Sequence, residues 1–241
     1  MYHSIYIGDK NTWDDFHLVS TDRPTVVPPE VRTVYVDAYG IDGPLDLSTA
    51  LTGGILYKNR VGSWTFTAVN SMYGVTDESW EIRYHKLANY LHGKKFKIVL
   101  EDDPNYYYMG RLSIDEWKSG KNWSSVTINY TLEPYKYEKF SSLDDWLWDP
   151  FSFETGIVRE YKNIAVNGSY TLTIAGSERP VIPQFTVSAG GNGMNVRYNG
   201  VTYTIPDGSS RNPNIVLREE ESTLVIQGTG TISILYQGGW I

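Results

Sequence analysis

Carboxylates stand next to one another at several places in this chain, among them Asp14-Asp15, Asp102-Asp103, Asp144-Asp145 and the run Glu219-Glu220-Glu221. Such pairs could serve glycoside hydrolysis, where an acid and a second carboxyl converge on one sugar from opposite sides. Neighbouring residues of a strand point to opposite faces, however, and these pairs lie in turn-like or linker sequence. They read as turn and solvated-face residues. The histidines (His3, His17, His85, His92) lack metal-ligand spacing. His85 and His92 are seven apart, whereas helical sites more often use a spacing of three or four. There is no Cys, which removes disulfides, thiolate metal sites and thiol nucleophiles. No Gly-x-Ser-x-Gly, Walker or dinucleotide signature occurs. The cluster Gly190-Gly191-Asn192-Gly193 precedes a strand pattern, so it lacks the helix dipole of an anion cradle. Tyr106-Tyr107-Tyr108 could stack sugars or bases, but alternate rings of a strand face opposite ways, which favours core packing with one ring exposed. The sequence therefore predicts no enzyme, no catalytic residue, no metal and no cofactor.

The elements that must position these residues are mostly strands. The run Lys95 to Leu112 reads as a hairpin, with an apolar segment, the turn Asp102-Asp103-Pro104-Asn105, and an aromatic segment. Val126 to Leu132 is a further strand, closed by Pro134-Tyr135-Lys136-Tyr137. Thr33 to Tyr39 and Ser63 to Val69 also read as strands, and Asp42 to Asn59 as a long loop. One helix is expected: Trp80, Tyr84, Leu87, Ala88 and Leu91 share a face, with Thr76 or Asp77 as N-cap and Gly93 at the C-terminal end. The second half shows no helix pattern. Asn199-Gly200 between alternating runs predicts a hairpin over Asn195 to Ile205. Thr171 to Ala175, Val181 to Ser188, Asn214 to Arg218, Ser222 to Gln227 and Thr231 to Gln237 complete a β-sandwich.

Composition divides the chain. Residues 1–140 hold 15 Lys+Arg, 18 Asp+Glu and 14 of the 19 Tyr; from 141 on there are 6 Lys+Arg, 10 Asp+Glu and a single Lys, Lys162. The segment Ser141 to Pro150, carrying Trp146 and Trp148, reads as the boundary, giving domains 1–140 and 141–241. The fold class expected is mainly β, with a sandwich-like first domain holding one α-helix and a hairpin, and a second β-sandwich. A net charge of −7 lacks the footprint of a nucleic-acid binder. No signal peptide and no apolar run long enough to span a membrane is present, so membrane insertion is not expected.

The order of motifs in the first half resembles the distal tail (Dit) protein family of phages with long non-contractile tails. The residues that carry the resemblance are Asp37 to Ser48, the strand Gly62 to Phe66, the helix end Leu87 to Gly93, the hairpin with Gly110-Arg111 after its aromatic run, and Pro134-Tyr135-Lys136-Tyr137. Together they cover most of residues 30–140. The second half matches only in kind, as a sandwich similar to galectins and carbohydrate-binding modules. The resemblance implies a virion tail tip component made in the bacterial host's cytoplasm. It implies a homohexameric ring in which the first domain stacks on the tail tube protein and docks the tail-tip protein. The second domain would point outward and hold receptor-binding proteins, while DNA passes through without being bound. Gly110 and Pro134 to Tyr137 are then structural motif residues. The loop with Gly53, Gly54 and Tyr57 is expected to be an arm that embraces a neighbour. The alternative is a carbohydrate-binding protein for adhesion to host glycans, with Tyr198 and Tyr203 as the stacking platform.

Overall fold

The structure is a computed structural model that describes residues 3–50, 54–68, 78–115, 118–119, 124–144 and 160–241. It divides into two compact units, Met1–Lys136 with Ile241, and Tyr137–Trp240. The mainly β fold expected from the sequence is what the chain adopts.

The first unit is built on β1 (Ile5–Ile7), β2 (Lys10–Asn11), β3 (Leu18–Ser20), β4 (Tyr35–Val36), β5 (Leu45–Asp46), β6 (Arg60–Ala68), the helix α1 (Trp80–Leu91), β7 (Lys95–Leu100), β8 (Tyr106–Ile114), β9 (Lys118–Ser119) and β10 (Ser124–Leu132). The main sheet runs β2-β1-β7-β8-β10-β6-β3, all antiparallel, with β9 on β10. Strict alternation makes its inner face. Val126, Ile128, Tyr130 and Leu132 of β10 are buried, as are Trp64, Phe66 and Ala68 of β6, and the residues between them are not. Trp80, Leu87 and Leu91 of α1 close the same core. The helix begins after Ser79, whose side chain makes no capping bond, and Gly93 takes the expected left-handed conformation. Thr76 and Asp77 lie outside the described residues.

The second unit comprises β11 (Lys136–Glu138), β12 (Ile164–Ile174), β13 (Gln184–Ser188), β14 (Met194–Tyr198), β15 (Val201–Ile205), β16 (Gly208–Arg211), β17 (Ser222–Leu235) and β18 (Gly239–Trp240). Here β17 is the spine. One side pairs with β12 over eleven positions, Ile164↔Ile232 to Ile174↔Ser222. The other pairs first with β14 and then with β13. The sequence predicts two strands here, Ser222 to Gln227 and Thr231 to Gln237, broken at the glycines; the structure has one. Gly228 and Gly230 keep the strand running at φ +145° and +144°, a region essentially closed to other residues, and bend it from one partner to the next. The hairpin at Asn199-Gly200 forms as expected, both residues at positive φ. Asn214 to Arg218 is not a strand; only the bridge Val181↔Leu217 forms there. Among the described residues no helix is long and apolar enough to cross a membrane.

Candidate functional site

Several of the residues with chemical potential are engaged in holding the structure. Asp15 accepts the Asn11 amide at 2.7 Å. Asp102 binds Arg23 at 2.8 Å and Asp103 binds Lys136 at 2.9 Å, which fastens the turn between β7 and β8. Asp144 accepts the Ser141 amide; Asp145 lies outside the described residues. His92 Nδ1 accepts the Ile114 amide at 3.1 Å. At the glycine cluster after β13, Asp207 accepts the amides of Ala189 and Gly191. Of the three tyrosines of β8, Tyr108 is buried and Tyr106 and Tyr107 are half-buried, so the expected exposed ring is missing; each has a cation beside its ring, Lys136 at Tyr106, Lys97 at Tyr107 and Arg60 at Tyr108. Burial pushes the Tyr108 hydroxyl above its usual range, against the lowering effect of Arg60. Among the described residues no group of His, Cys, Asp and Glu could hold a metal.

What the first unit does present is an arm, described over residues 30–50 and 54–58. It opens at the bridge Val31↔Tyr57, flanked by Arg32 N–H to Leu56 O at 2.7 Å and Lys58 N–H to Glu30 O at 2.8 Å. It then narrows to the two-stranded β4–β5 pairing, Tyr35↔Asp46 and Val36↔Leu45. Gly40 and Gly43 turn the tip at positive φ. Ser48 and Asp46 fix the return: Ser48 Oγ accepts the Val34 amide, and the Asp46 carboxylate, held below its usual pKa by its bonds from Ser48, accepts the Ser48 amide. The expected strand Thr33 to Tyr39 thus shrinks to two residues, and the expected loop Asp42 to Asn59 contains the returning strand. Along this arm Val31, Val34, Tyr35, Val36 and Ile41 are exposed, and Tyr39 is 108% exposed. None of them joins the core of the unit. A two-stranded finger without a core of its own is marginal in water, so an apolar arm of this kind calls for a surface to lie on.

Its root is the opposite, rigid and internally bonded. Arg60 is 4% exposed. Its Nε donates to Pro134 O at 2.7 Å and Nη1 to Val27 O at 3.1 Å, so one guanidinium joins the entry to the arm to the end of β10. Trp64 Nε1 donates to Thr25 O at 2.8 Å, and Tyr130 Oη accepts the Val27 amide at 3.2 Å. The two rings stack with centroids 4.3 Å apart, over Gly62, where a Cβ would strike the Tyr130 hydroxyl. The sequence pattern by itself does not single out Arg60. The available signal was a lone arginine opening an otherwise apolar alternating strand.

The sequence-derived motif residues fall around this root. Pro134 supplies the carbonyl that Arg60 holds. Tyr135 meets Tyr57 edge to face at 6.0 Å, so an expected motif residue and an expected arm residue touch. Gly110 lets β8 lie close against β10, since a Cβ there would overlap the Thr131 carbonyl. Lys136 is the ion partner of Asp103. Tyr137, buried, opens the second unit with Arg179 over its ring at 5.0 Å. Gly54 is described; Gly53 lies outside the described residues. The expected glycan platform is not displayed as two open rings. Tyr203 pairs with buried Val196, and Tyr198 lies two residues further along, so both point toward the core and are half-buried. Tyr198 donates to Val216 O at 2.7 Å and lines a cavity of about 650 Å³ with Arg218 and Glu219 to Glu221; Tyr203 does not line it.

No protein-family model matches the chain, and no curated protein sequence matches it. Among solved structures it is similar to the crystal structure of the SPP1 Dit (gp 19.1) protein, described as a paradigm of the hub adsorption apparatus in phages infecting Gram-positive bacteria. The similarity covers 98% of this chain and 99% of that one, with a TM-score of 0.59 and 13% sequence identity. At that identity the likeness is one of fold, and it extends over both units: the chain has a Dit-like fold from end to end.

Proposed function

We propose that this chain is a structural component of a phage tail, a distal tail protein that assembles as a homohexameric ring. In this reading the first unit stacks on the tail tube protein, docks the tail-tip protein and leaves a passage for DNA. The second unit faces outward and carries receptor-binding or other peripheral proteins. The observation that carries the proposal is the fold likeness over the full length of both chains. The exposed apolar arm on its internally bonded root supports it, because a neighbouring subunit would supply the surface the arm lacks. The net charge of −7 suits a passage that does not retain DNA.

The test is light scattering and electron microscopy of the purified chain across a concentration series. Six-membered rings are expected at tens of micromolar; a monomer throughout that range contradicts the ring. A second reading, glycan binding by the second unit, draws on the cavity beside Tyr198. A glycan array is its test, with binding abolished by Tyr198→Ala as the supporting result.

A further inference from the structure

The second unit has one border that differs from every other sheet border among the described residues. β12 pairs with β17 along its whole length and with no other strand. Among the described residues its outer edge is free: from Ile164 to Ile174 no backbone group bonds a described residue outside that ladder, and no described side chain caps one. Proteins normally blunt such edges with short length, charge or proline. The other terminal strands of the two large sheets do so. β2 and β3 have two and three residues, β16 has four and ends in Arg211, and β15 has five and runs into Pro206. β12 has eleven residues, Ile-Ala-Val-Asn-Gly-Ser-Tyr-Thr-Leu-Thr-Ile, with no charge and no proline. Gly168, at φ +87°, interrupts it once and leaves Ser169–Ile174 as an unbroken uncharged edge.

We infer that an extended segment of another tail polypeptide adds to this edge as a further antiparallel or parallel strand. This rests on the tail reading above and names where the outward unit holds a peripheral protein. Only an extended main chain can satisfy a row of alternating N–H and C=O groups, so backbone pairing supplies the affinity. The side chains state the rest of the chemistry. Leu172 and Ile174 are buried, but Tyr170, on the same face, is 40% exposed, so an apolar or β-branched residue of the added strand covers its ring. Thr171 and Thr173 face outward and match small hydroxyl residues. No position on the edge calls for a charged partner.

Hydrogen exchange on the full chain, free and within purified tails, tests this. In the free chain the outer amides of Ser169–Ile174 are expected to exchange rapidly at every concentration. In tails they are expected to slow by about a hundredfold or more. The double variant Thr171→Lys/Thr173→Lys, on exposed positions, is expected to keep the fold and its own place in tails. Those tails should lose about tenfold or more of one other protein. Unchanged exchange in tails that contain the chain overturns the inference. Protection that grows with concentration in the free chain overturns it in favour of a second copy. Absence of the chain from purified tails overturns the tail reading itself, and this inference with it.

Discussion

At the scale of single residues, the arm root concentrates the cost of substitution. Arg60→Ala leaves the carbonyls of Val27 and Pro134 without their donor in a buried setting, and about 2–4 kcal/mol of stability should be lost in urea denaturation. A loss under half a kilocalorie would show that water replaces the guanidinium. A second prediction concerns pH. Burial, and then the bond to Asp9, push Tyr90 up to about 12. An unfolded tyrosine loses its proton near about 10. Between those values the folded chain binds more protons, so this contribution is complete below pH 10 and declines as pH rises toward 12. Tyr90→Phe should flatten that part of the alkaline stability profile, as followed by circular dichroism; an unchanged slope would assign the decline elsewhere. Neither role was legible in advance. Tyr90 reads as one more exposed helix residue until the fold brings it to the Ile7 carbonyl, 2.6 Å away and 83 positions earlier. Gly110 stands out by resemblance alone, and its physical reason, the close approach of a paired backbone, depends on the β8–β10 register.

At the scale of elements, the arm and the join between units carry the next predictions. Tyr39 and Ile41 are exposed near the arm tip and touch no core, so Tyr39→Asp/Ile41→Asp should leave the monomer's melting temperature within about 2 °C. The same pair of changes should shift the assembled fraction strongly toward monomer in light scattering. Undiminished assembly would mean that the arm is not the contact. Limited proteolysis should cut between residues 137 and 150 and release two resistant fragments; a single indivisible core would contradict a two-domain chain. Elements with strong local signals were readable from sequence: the Asn199-Gly200 hairpin, the amphipathic α1, and the alternating β10. The errors have one cause, which is that local pattern does not report pairing partners. Gly228 and Gly230 look like a break but sit inside β17, because β12 pairs straight through them. Thr33 to Tyr39 looks like a core strand but lies on an arm, since β-branched residues are equally apt for a surface that another chain covers.

At the scale of the whole molecule, the two units differ in how their ladders are ordered, and for the second unit this has a mechanical consequence. Moving inward from its ends, the partners are Glu138 with Gly238, Ser142 with Tyr236, Tyr161 with Ile234, then Ile164 with Ile232 and so on to Ile174 with Ser222. Both ends of the unit thus enter at the same end of one antiparallel ladder, whose bonds lie across the strands. Tension applied between residues 137 and 240 would meet those bonds one at a time, as in opening a zip, and never all together in shear. Single-molecule pulling on these two points should open the unit at low force, without one dominant rupture, whereas attachment at residues 174 and 235 should load the same ladder along its length and require more. A tail component joined to its neighbours through this unit's two ends would therefore yield under load, and any axial pull during attachment to a cell must be borne by other paths.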